Sequence, residues 1–254
     1  ITTTYAESTD ELIALAQKAE HQNAYTTALI HLKNAAKQDP INLDVRLKLA
    51  KLFIITGQGI QAKIELDKAN KLGAQPVDTA VLLAKAQYLQ GEFDALIEQI
   101  NIIDLPQSHI ARIRAMQGHS YFEQLKFDQA VQMFQRALSL SPNELEVQLG
   151  LVKTYRIRQQ MIQESDLVKQ LLLKYPDNPE VLIVSANFYR EQNDFDHALE
   201  LFKRAGLIQT SNVNIWYGTV RTYIGKGDFD SAKKEIQKVL VNYPELQVAN
   251  YLLA

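Results

Sequence analysis

The chain has 254 residues, of which 46% are hydrophobic and 22% are charged, and its 27 Lys and Arg nearly balance its 29 Asp and Glu for a formal net charge of −2. This balance leaves no overall positive field to attract polyanions, so no nucleic-acid partner is expected. The sequence contains no cysteine, which excludes thiol catalysis, thiolate metal sites and disulfides. Its apolar runs are too short to span a membrane.

Apolar residues recur at helical spacing along almost the whole chain, in stretches of about a dozen residues separated by short breaks. One kind of break carries Gly or Asn, which tolerate the left-handed conformation that ends a helix. The other kind carries Pro, which permits a helix to start but not to continue. The two kinds alternate, which predicts hairpins of two antiparallel amphipathic helices and an all-α fold. The first kind occurs at Asn23, Gly57, Gly91, Asn193 and Gly227, and the second at Pro40, Pro76, Pro106, Pro142, Pro176 and Pro244.

In chain order, a leader of residues 1–8 precedes seven units of 34 residues that follow one another without insertion. The units comprise residues 9–42, 43–76, 77–110, 111–144, 145–178, 179–212 and 213–246. Residues 247–254 restart the pattern as the first helix of a truncated eighth unit. Half a hairpin has no second helix to cover apolar side chains such as Leu252 and Leu253, so we expect the native gene to continue with further repeats.

Columns of equivalent residues, spaced 34 positions apart, carry this repeat. Two columns hold small residues, which let the helices of a hairpin approach closely, and a third holds aromatic residues that fill the space between hairpins. Leu96 and Glu164 interrupt the second small column and Gln87 interrupts the aromatic one, so the third and fifth units depart from the pattern. The columns are Ala16, Ala50, Ala84, Gly118, Val152, Ala186, Val220 and Ala254; then Ala28, Ala62, Ala130, Ala198 and Ala232; then Phe53, Tyr121, Tyr155, Tyr189 and Tyr223.

The stretch from Gly118 to Tyr121, followed by Ala130, Phe134, Ala137 and Pro142, closely resembles the tetratricopeptide repeat. This resemblance implies a right-handed superhelical solenoid of antiparallel helix hairpins that binds other proteins. The sequence of residues 30–50 and 57–91 resembles, more narrowly, that of the repeat lipoproteins of bacterial PEP-CTERM/exosortase and exopolysaccharide systems. That likeness implies an extracytoplasmic protein with a lipid anchor upstream of this sequence, and a cytoplasmic location is the alternative.

No motif for catalysis, a cofactor or a metal ion is visible. Gly57-Gln-Gly59 superficially fits a dinucleotide fingerprint, but a helix precedes it where that fingerprint requires a strand. The Asp-Phe-Asp sequences at 194–196 and 228–230 lie at the start of second helices, where acidic side chains cap the free amides. No two histidines have the spacing of helical metal ligands. We therefore expect no enzymatic activity and no cofactor.

A candidate binding groove follows from the repeat register. In such a superhelix the first helix of each hairpin lines the concave face. The position after the first small column is polar throughout, and the position three residues later lies on the same helix face. From these positions we predict a partner-binding groove formed by Lys51, Lys85, His119, Lys153, Asn187 and Arg221, and by Ile54, Tyr88, Phe122, Arg156 and Arg190.

Two functions remain open for this groove. The first is a scaffold that binds protein or peptide segments, with acidic segments favoured by the cations, as part of an envelope protein-sorting or exopolysaccharide system. The second is a regulatory or substrate-recruiting array excised from a larger enzyme. The alternative for the groove itself is that these positions are ordinary solvated helix faces. A clamp for chaperone tails is not expected, because the column it would use is apolar: Ile13, Leu47, Val81, Ala115, Leu149, Ile183 and Tyr217.

Overall fold

A computed structural model describes residues 7–98, 104–210, 212–242, 244–245 and 247–253. Within these ranges the regular structure consists of fifteen α-helices, with no strand. Fourteen of the helices follow one another in seven pairs joined by short turns. The all-α class and the array of helix hairpins predicted from the sequence are confirmed. Most of the predicted leader, residues 1–6, and the side chains of Leu252 and Leu253 lie outside the described part.

The chain divides into two compact units between Val147 and Gln148, inside helix α9. The first unit holds α1 (Thr9–His21), α2 (Tyr25–Gln38), α3 (Leu43–Ile55), α4 (Gly59–Lys71), α5 (Pro76–Leu89), α6 (Phe93–Glu98), α7 (Gln107–Glu123), α8 (Phe127–Leu140) and the start of α9 (Leu145–Ile157). The second unit holds the rest of α9, then α10 (Met161–Lys174), α11 (Pro179–Glu191), α12 (Phe195–Ile208), α13 (Val213–Lys226), α14 (Phe229–Asn242) and α15 (Gln247–Leu253). Odd-numbered helices up to α13 are the first helices of the hairpins.

The turn inside each hairpin contains one residue with positive φ, always at the same position of the repeat. These residues are Asn23, Gly57, Gly91, Leu125, Gln159, Asn193 and Gly227, with φ between 56° and 81°. The sequence pattern indicated Gly or Asn breaks at five of these positions. In the fourth and fifth hairpins, Leu125 and Gln159 adopt the same left-handed conformation despite the steric cost of their Cβ atoms.

The acidic sequences at 194–196 and 228–230 cap helices, as predicted. The Asp194 side chain accepts a hydrogen bond from the backbone amide of His197, and Asp228 accepts one from the amide of Ser231. Each carboxylate thus satisfies an amide that has no partner within its own helix. These aspartates therefore have a structural role at the start of α12 and α14.

Small residues lie where consecutive helices are closest. The described members of the first small column other than Gly118 have no exposed surface; they are Ala16, Ala50, Ala84, Val152, Ala186 and Val220. A Cβ atom on Gly118 would lie 2.6 Å from Cδ1 of Phe134, whose ring is fully buried. Helices α7 and α8 can pack this closely only because residue 118 has no side chain.

The third and fifth units contain the residues that depart from the repeat pattern. In the third, the buried side-chain amide of Gln117 donates hydrogen bonds to the carbonyls of Leu96 and Ile97, both at 3.1 Å. Gln117 thereby links α7 to α6. In the fifth, Glu164 replaces the usual alanine and only 5% of its side chain is exposed. A buried carboxylate at this place requires a compensating partner.

Candidate partner-binding surface

The predicted groove residues lie on the first helices of successive hairpins, α3, α5, α7, α9, α11 and α13. They fall into two groups because the chain has two compact units. Lys51, Ile54, Lys85, Tyr88, His119 and Phe122 belong to the first unit, and Lys153, Arg156, Asn187, Arg190 and Arg221 belong to the second. Each group is a separate candidate surface.

Four cations at equivalent positions are exposed: Lys51, Lys85, Lys153 and Arg221. None of them forms an ion pair with a carboxylate in the described part of the chain. Lysines elsewhere do form such pairs, for example Lys63 with Glu92 at 2.7 Å. The four cations therefore keep their charge available to a ligand.

The aromatic part of the first unit is built from both helices of two hairpins. Tyr88 is half-buried, and its ring lies 5.7 Å from that of Phe93 and 6.3 Å from that of His119, centroid to centroid. Phe122 packs edge-to-face on Phe127 at 5.6 Å. Sequence reasoning missed these supporting rings, although a column spaced by 34 residues contains them: Tyr25, Phe93, Phe127, Phe195 and Phe229.

Carboxylates flank this aromatic patch, which the sequence analysis did not predict. The pKa of Tyr88 is raised, first by burial and then by the negative charge of Glu123. Nε2 of His119 lies 3.8 Å from Oε1 of Glu146, whose side chain is largely exposed. The surface of the first unit therefore has mixed charge, with exposed lysines and exposed carboxylates on neighbouring helices.

Arg156, in the second unit, forms ion pairs and a hydrogen bond with other residues of this chain. Its Nε lies 2.9 Å from Oε1 of Glu164 and 3.2 Å from Oε2 of Glu191, and its Nη2 donates to the carbonyl of Val184 at 3.1 Å. Burial raises the pKa of Glu164, and Arg156 opposes that shift. Arg156 is thus the partner that the buried Glu164 requires, and it was predicted only as a ligand contact.

Arg190 is half-buried, with 13% of its side chain exposed, and its ion pair is long. Its Nη2 lies 3.5 Å from Oε1 of Glu191. Burial lowers the pKa of Arg190, and the positive charge of Arg221 lowers it further. The guanidinium carbon of Arg221 lies 5.6 Å from the ring centroid of Tyr217.

Asn187, another predicted groove residue, forms a hydrogen bond within its own helix. Its side-chain amide donates to the carbonyl of Ile183 at 3.0 Å.

The described ranges give no geometric indication of a metal or membrane site. They contain no group of three or more His, Cys, Asp or Glu side chains placed to hold a metal ion. None of their helices is long and apolar enough to cross a bilayer.

Comparison with known proteins identifies the type of fold. Residues 119–239 match the family of ChAPs (Chs5p-Arf1p-binding proteins). No curated protein matches this sequence. Among solved structures, a tetratricopeptide repeat protein from Parabacteroides merdae is similar with a TM-score of 0.71 and 16% sequence identity, over 98% of both chains.

Two larger proteins are similar over part of their length. A chain of the APC/C hetero-tetramer Cut9–Hcn1 has a TM-score of 0.67 at 16% identity, and the likeness covers 85% of this chain but 42% of that one. Yeast Tom70 has a TM-score of 0.65 at 18% identity, covering 100% of this chain and 57% of Tom70. At such low identities the likeness concerns the fold alone. The chain has the fold of the tetratricopeptide-repeat proteins.

Proposed function

We propose that this chain is an interaction array that holds acidic segments of partner proteins along the first helices of its hairpins. One observation carries the proposal: Lys51, Lys85, Lys153 and Arg221 occupy equivalent positions, are exposed, and make no ion pair within the described residues. Side chains of like charge without partners favour a ligand of opposite charge. The tetratricopeptide-repeat fold supports the proposal, as does the name of the matched ChAPs family, which refers to protein binding.

Charge alone would give weak binding. Each exposed ion pair contributes about 0–1 kcal/mol and is screened by salt. A stronger contribution would come from burying an apolar ligand side chain against Tyr88 and Phe122, because binding hot spots favour desolvated aromatic residues. The ligand we propose therefore alternates acidic with apolar residues.

The proposal predicts which of two variants in the first unit loses more ligand binding. Phe122→Ala should weaken binding more than Lys85→Gln, whereas only Lys85→Gln should reduce the dependence of the dissociation constant on salt. Fluorescence anisotropy with a labelled peptide of alternating Glu and Phe, measured at two salt concentrations, separates the two effects. Lys37→Gln is the matched control, because Lys37 is exposed on the second helix α2, away from the candidate surface.

A peptide of alternating Gln and Phe tests the role of ligand charge. We expect it to bind more weakly than the Glu–Phe peptide and without salt dependence. If Lys85→Gln and Phe122→Ala both bind the Glu–Phe peptide like the parent chain, the first helices are merely solvated and the proposal fails.

For the biological setting, we propose a bacterial envelope system for protein sorting or exopolysaccharide export. The support is the likeness of residues 30–50 and 57–91 to the repeat lipoproteins of PEP-CTERM systems. An acylatable Cys upstream of Ile1 in the full-length gene, together with incorporation of labelled palmitate, would support an extracytoplasmic, lipid-anchored protein. A catalytic domain downstream of Ala254 would instead favour a recruiting array of a larger enzyme, and an unmodified chain in the soluble cell extract would favour the cytoplasm.

A further inference from the structure

Two arginines and two glutamates of the second unit are joined by ion pairs, and the charge of a third arginine, Arg221, lowers the pKa of Arg190, so the five form one cluster. Arg156, Arg190 and Arg221 come from the first helices α9, α11 and α13, and the carboxylates are those of Glu164 and Glu191. Helices α11 and α13 pack against each other. The cluster therefore holds one more positive than negative charge at the predicted binding face.

The excess charge is concentrated on Arg190 and Arg221. Arg156 is the closest partner of both negative charges, because its Nε lies 2.9 Å from Glu164 and 3.2 Å from Glu191. Its Nη2 also donates a hydrogen bond to the carbonyl of Val184 at 3.1 Å. What remains for Arg190 is the second oxygen of Glu191 at 3.5 Å. A charge-assisted hydrogen bond between these groups is ordinarily about 2.7–2.9 Å long.

Arg190 is consequently a half-buried guanidinium whose contact with Glu191, both ion pair and hydrogen bond, is long at 3.5 Å. Burying a charged group in this way costs free energy unless a counter-charge is supplied. Glu191 supplies part of it, but burial and the charge of Arg221 act more strongly and lower the pKa of Arg190. Arg221 is exposed and its guanidinium carbon lies 5.6 Å from the ring centroid of Tyr217, so it is accessible to a ligand.

We propose that Arg190 and Arg221 together bind one carboxylate of a partner segment, with Arg190 as the specificity contact and Arg221 as the exposed second donor. A guanidinium presents its N–H groups in a planar fork that matches the two oxygens of a carboxylate, which a lysine ammonium does not. Arg156 is a positioning residue, because it holds Glu191 away from Arg190. This inference rests on the proposed function and names the anchor point of the acidic ligand in the second unit.

The carboxylate can come from an acidic side chain or from a chain terminus, and three short peptides distinguish the sources. One is an amidated Ala/Gln peptide with a single Glu, the second has Gln in place of that Glu, and the third has the all-Gln sequence with a free terminal carboxylate. Titration into nitrogen-15-labelled protein, followed at the Nε–Hε signals of the arginines, reports contact at Arg190 and Arg221 directly. We expect the Glu peptide or the free-terminus peptide to shift both signals and the amidated Gln peptide to shift neither.

The decisive variant is Arg190→Lys, which keeps the positive charge and removes the fork. We expect it to weaken binding of the active peptide by about tenfold, in keeping with the loss of a charge-assisted hydrogen bond. Lys203→Gln is the matched control, because it removes an exposed cation of the same unit on the second helix α12, and it should weaken binding by less than about threefold.

Parent-like binding by Arg190→Lys, or unshifted Arg190 and Arg221 signals in the parent chain, would overturn the inference. The proposed function survives either result if Phe122→Ala and Lys85→Gln still impair the Glu–Phe peptide in the first unit. Should Arg190→Lys fail to fold, as judged by circular dichroism, the arginine signals of the parent chain decide the question.

Discussion

Gly118 offers a direct test of the close contact between helices α7 and α8. An added Cβ would lie 2.6 Å from Cδ1 and 2.7 Å from Cε1 of Phe134. Carbon atoms in van der Waals contact are separated by about 3.5–4.0 Å, so the ring or the helix would have to move by roughly 1 Å. The ring of Phe134 has no exposed surface and cannot swing into solvent. Gly118→Ala therefore forces a displacement inside the core.

Two effects of opposite sign decide the size of the change. Replacing Gly by Ala in a helix interior gains about 0.5–1 kcal/mol through the lower backbone entropy of the unfolded chain. Overpacking a filled core costs about 1–3 kcal/mol. We expect a net loss of about 1 kcal/mol for Gly118→Ala, or about 2–4 °C in melting temperature, and a larger loss for Gly118→Leu.

The control is Gly206→Ala in helix α12. There an added Cβ meets only Cγ2 of Ile215 at 3.7 Å, an ordinary contact. The propensity gain remains without the overpacking, so this variant should be neutral or stabilised by up to about 1 kcal/mol. Thermal and urea unfolding followed by circular dichroism would place the two variants on opposite sides of the parent chain.

Replacing the Phe134 ring by a smaller side chain measures how much of the loss comes from this contact. In a Phe134→Leu background the obstruction is relieved, so adding Gly118→Ala should cost about 1–2 kcal/mol less than it does in the parent. A Gly118→Ala chain that melts at or above the temperature of Gly206→Ala would refute the assigned close contact and the repeat register behind it.

Three further perturbations have defined outcomes. Leu125→Asn should stabilise the chain by up to about 1 kcal/mol in urea unfolding, because Leu125 is exposed at a φ of 60° that Asn tolerates better. Glu65→Gln should cost about 3 kcal/mol in the same assay, because it leaves the buried guanidinium of Arg46 without the carboxylate that lies 2.9 Å away. Burial raises the pKa of Glu164. The folded chain therefore keeps the Glu164 carboxyl protonated up to a higher pH than the unfolded chain does, and the folded chain loses stability as pH rises from the usual carboxyl pKa to the raised one. Glu164→Gln should flatten that fall when unfolding free energy is measured between about pH 4 and 7.

Much of the fold could be predicted because each repeat imposes the same local requirements. The small residues lie where two helices are closest, as Gly118 against Phe134 shows, and such positions are visible as columns in one sequence. The left-handed turns were predicted only where Gly or Asn marks them. Leu125 and Gln159 adopt the same φ without that marker, because the surrounding helices fix the turn geometry even where the residue itself disfavours it.

The charges around the candidate surface could not be predicted from columns. Glu123, which directly follows Phe122 in the sequence, and Glu146 act on Tyr88 and His119 from a different helix in each case, so the repeat columns show neither pairing. An exposed carboxylate on one helix face also reads as an ordinary solvated side chain. Only the packed arrangement of α5, α7 and α9 brings these groups to one place.

Arg156 and Arg190 illustrate why equivalent positions in a repeat need not share a role. Both occupy the same place on the first helix of a hairpin, and the sequence analysis assigned both to ligand binding. A single departure in the fifth unit, Glu164 in place of alanine, buries a carboxylate that Arg156 must neutralise. The sixth unit has Ala198 at that position, so Arg190 lacks the corresponding partner, and its ion pair among the described residues is the longer one to Glu191. Equivalent positions thus give Arg156 a structural partner and leave Arg190 as the residue that we propose for ligand binding.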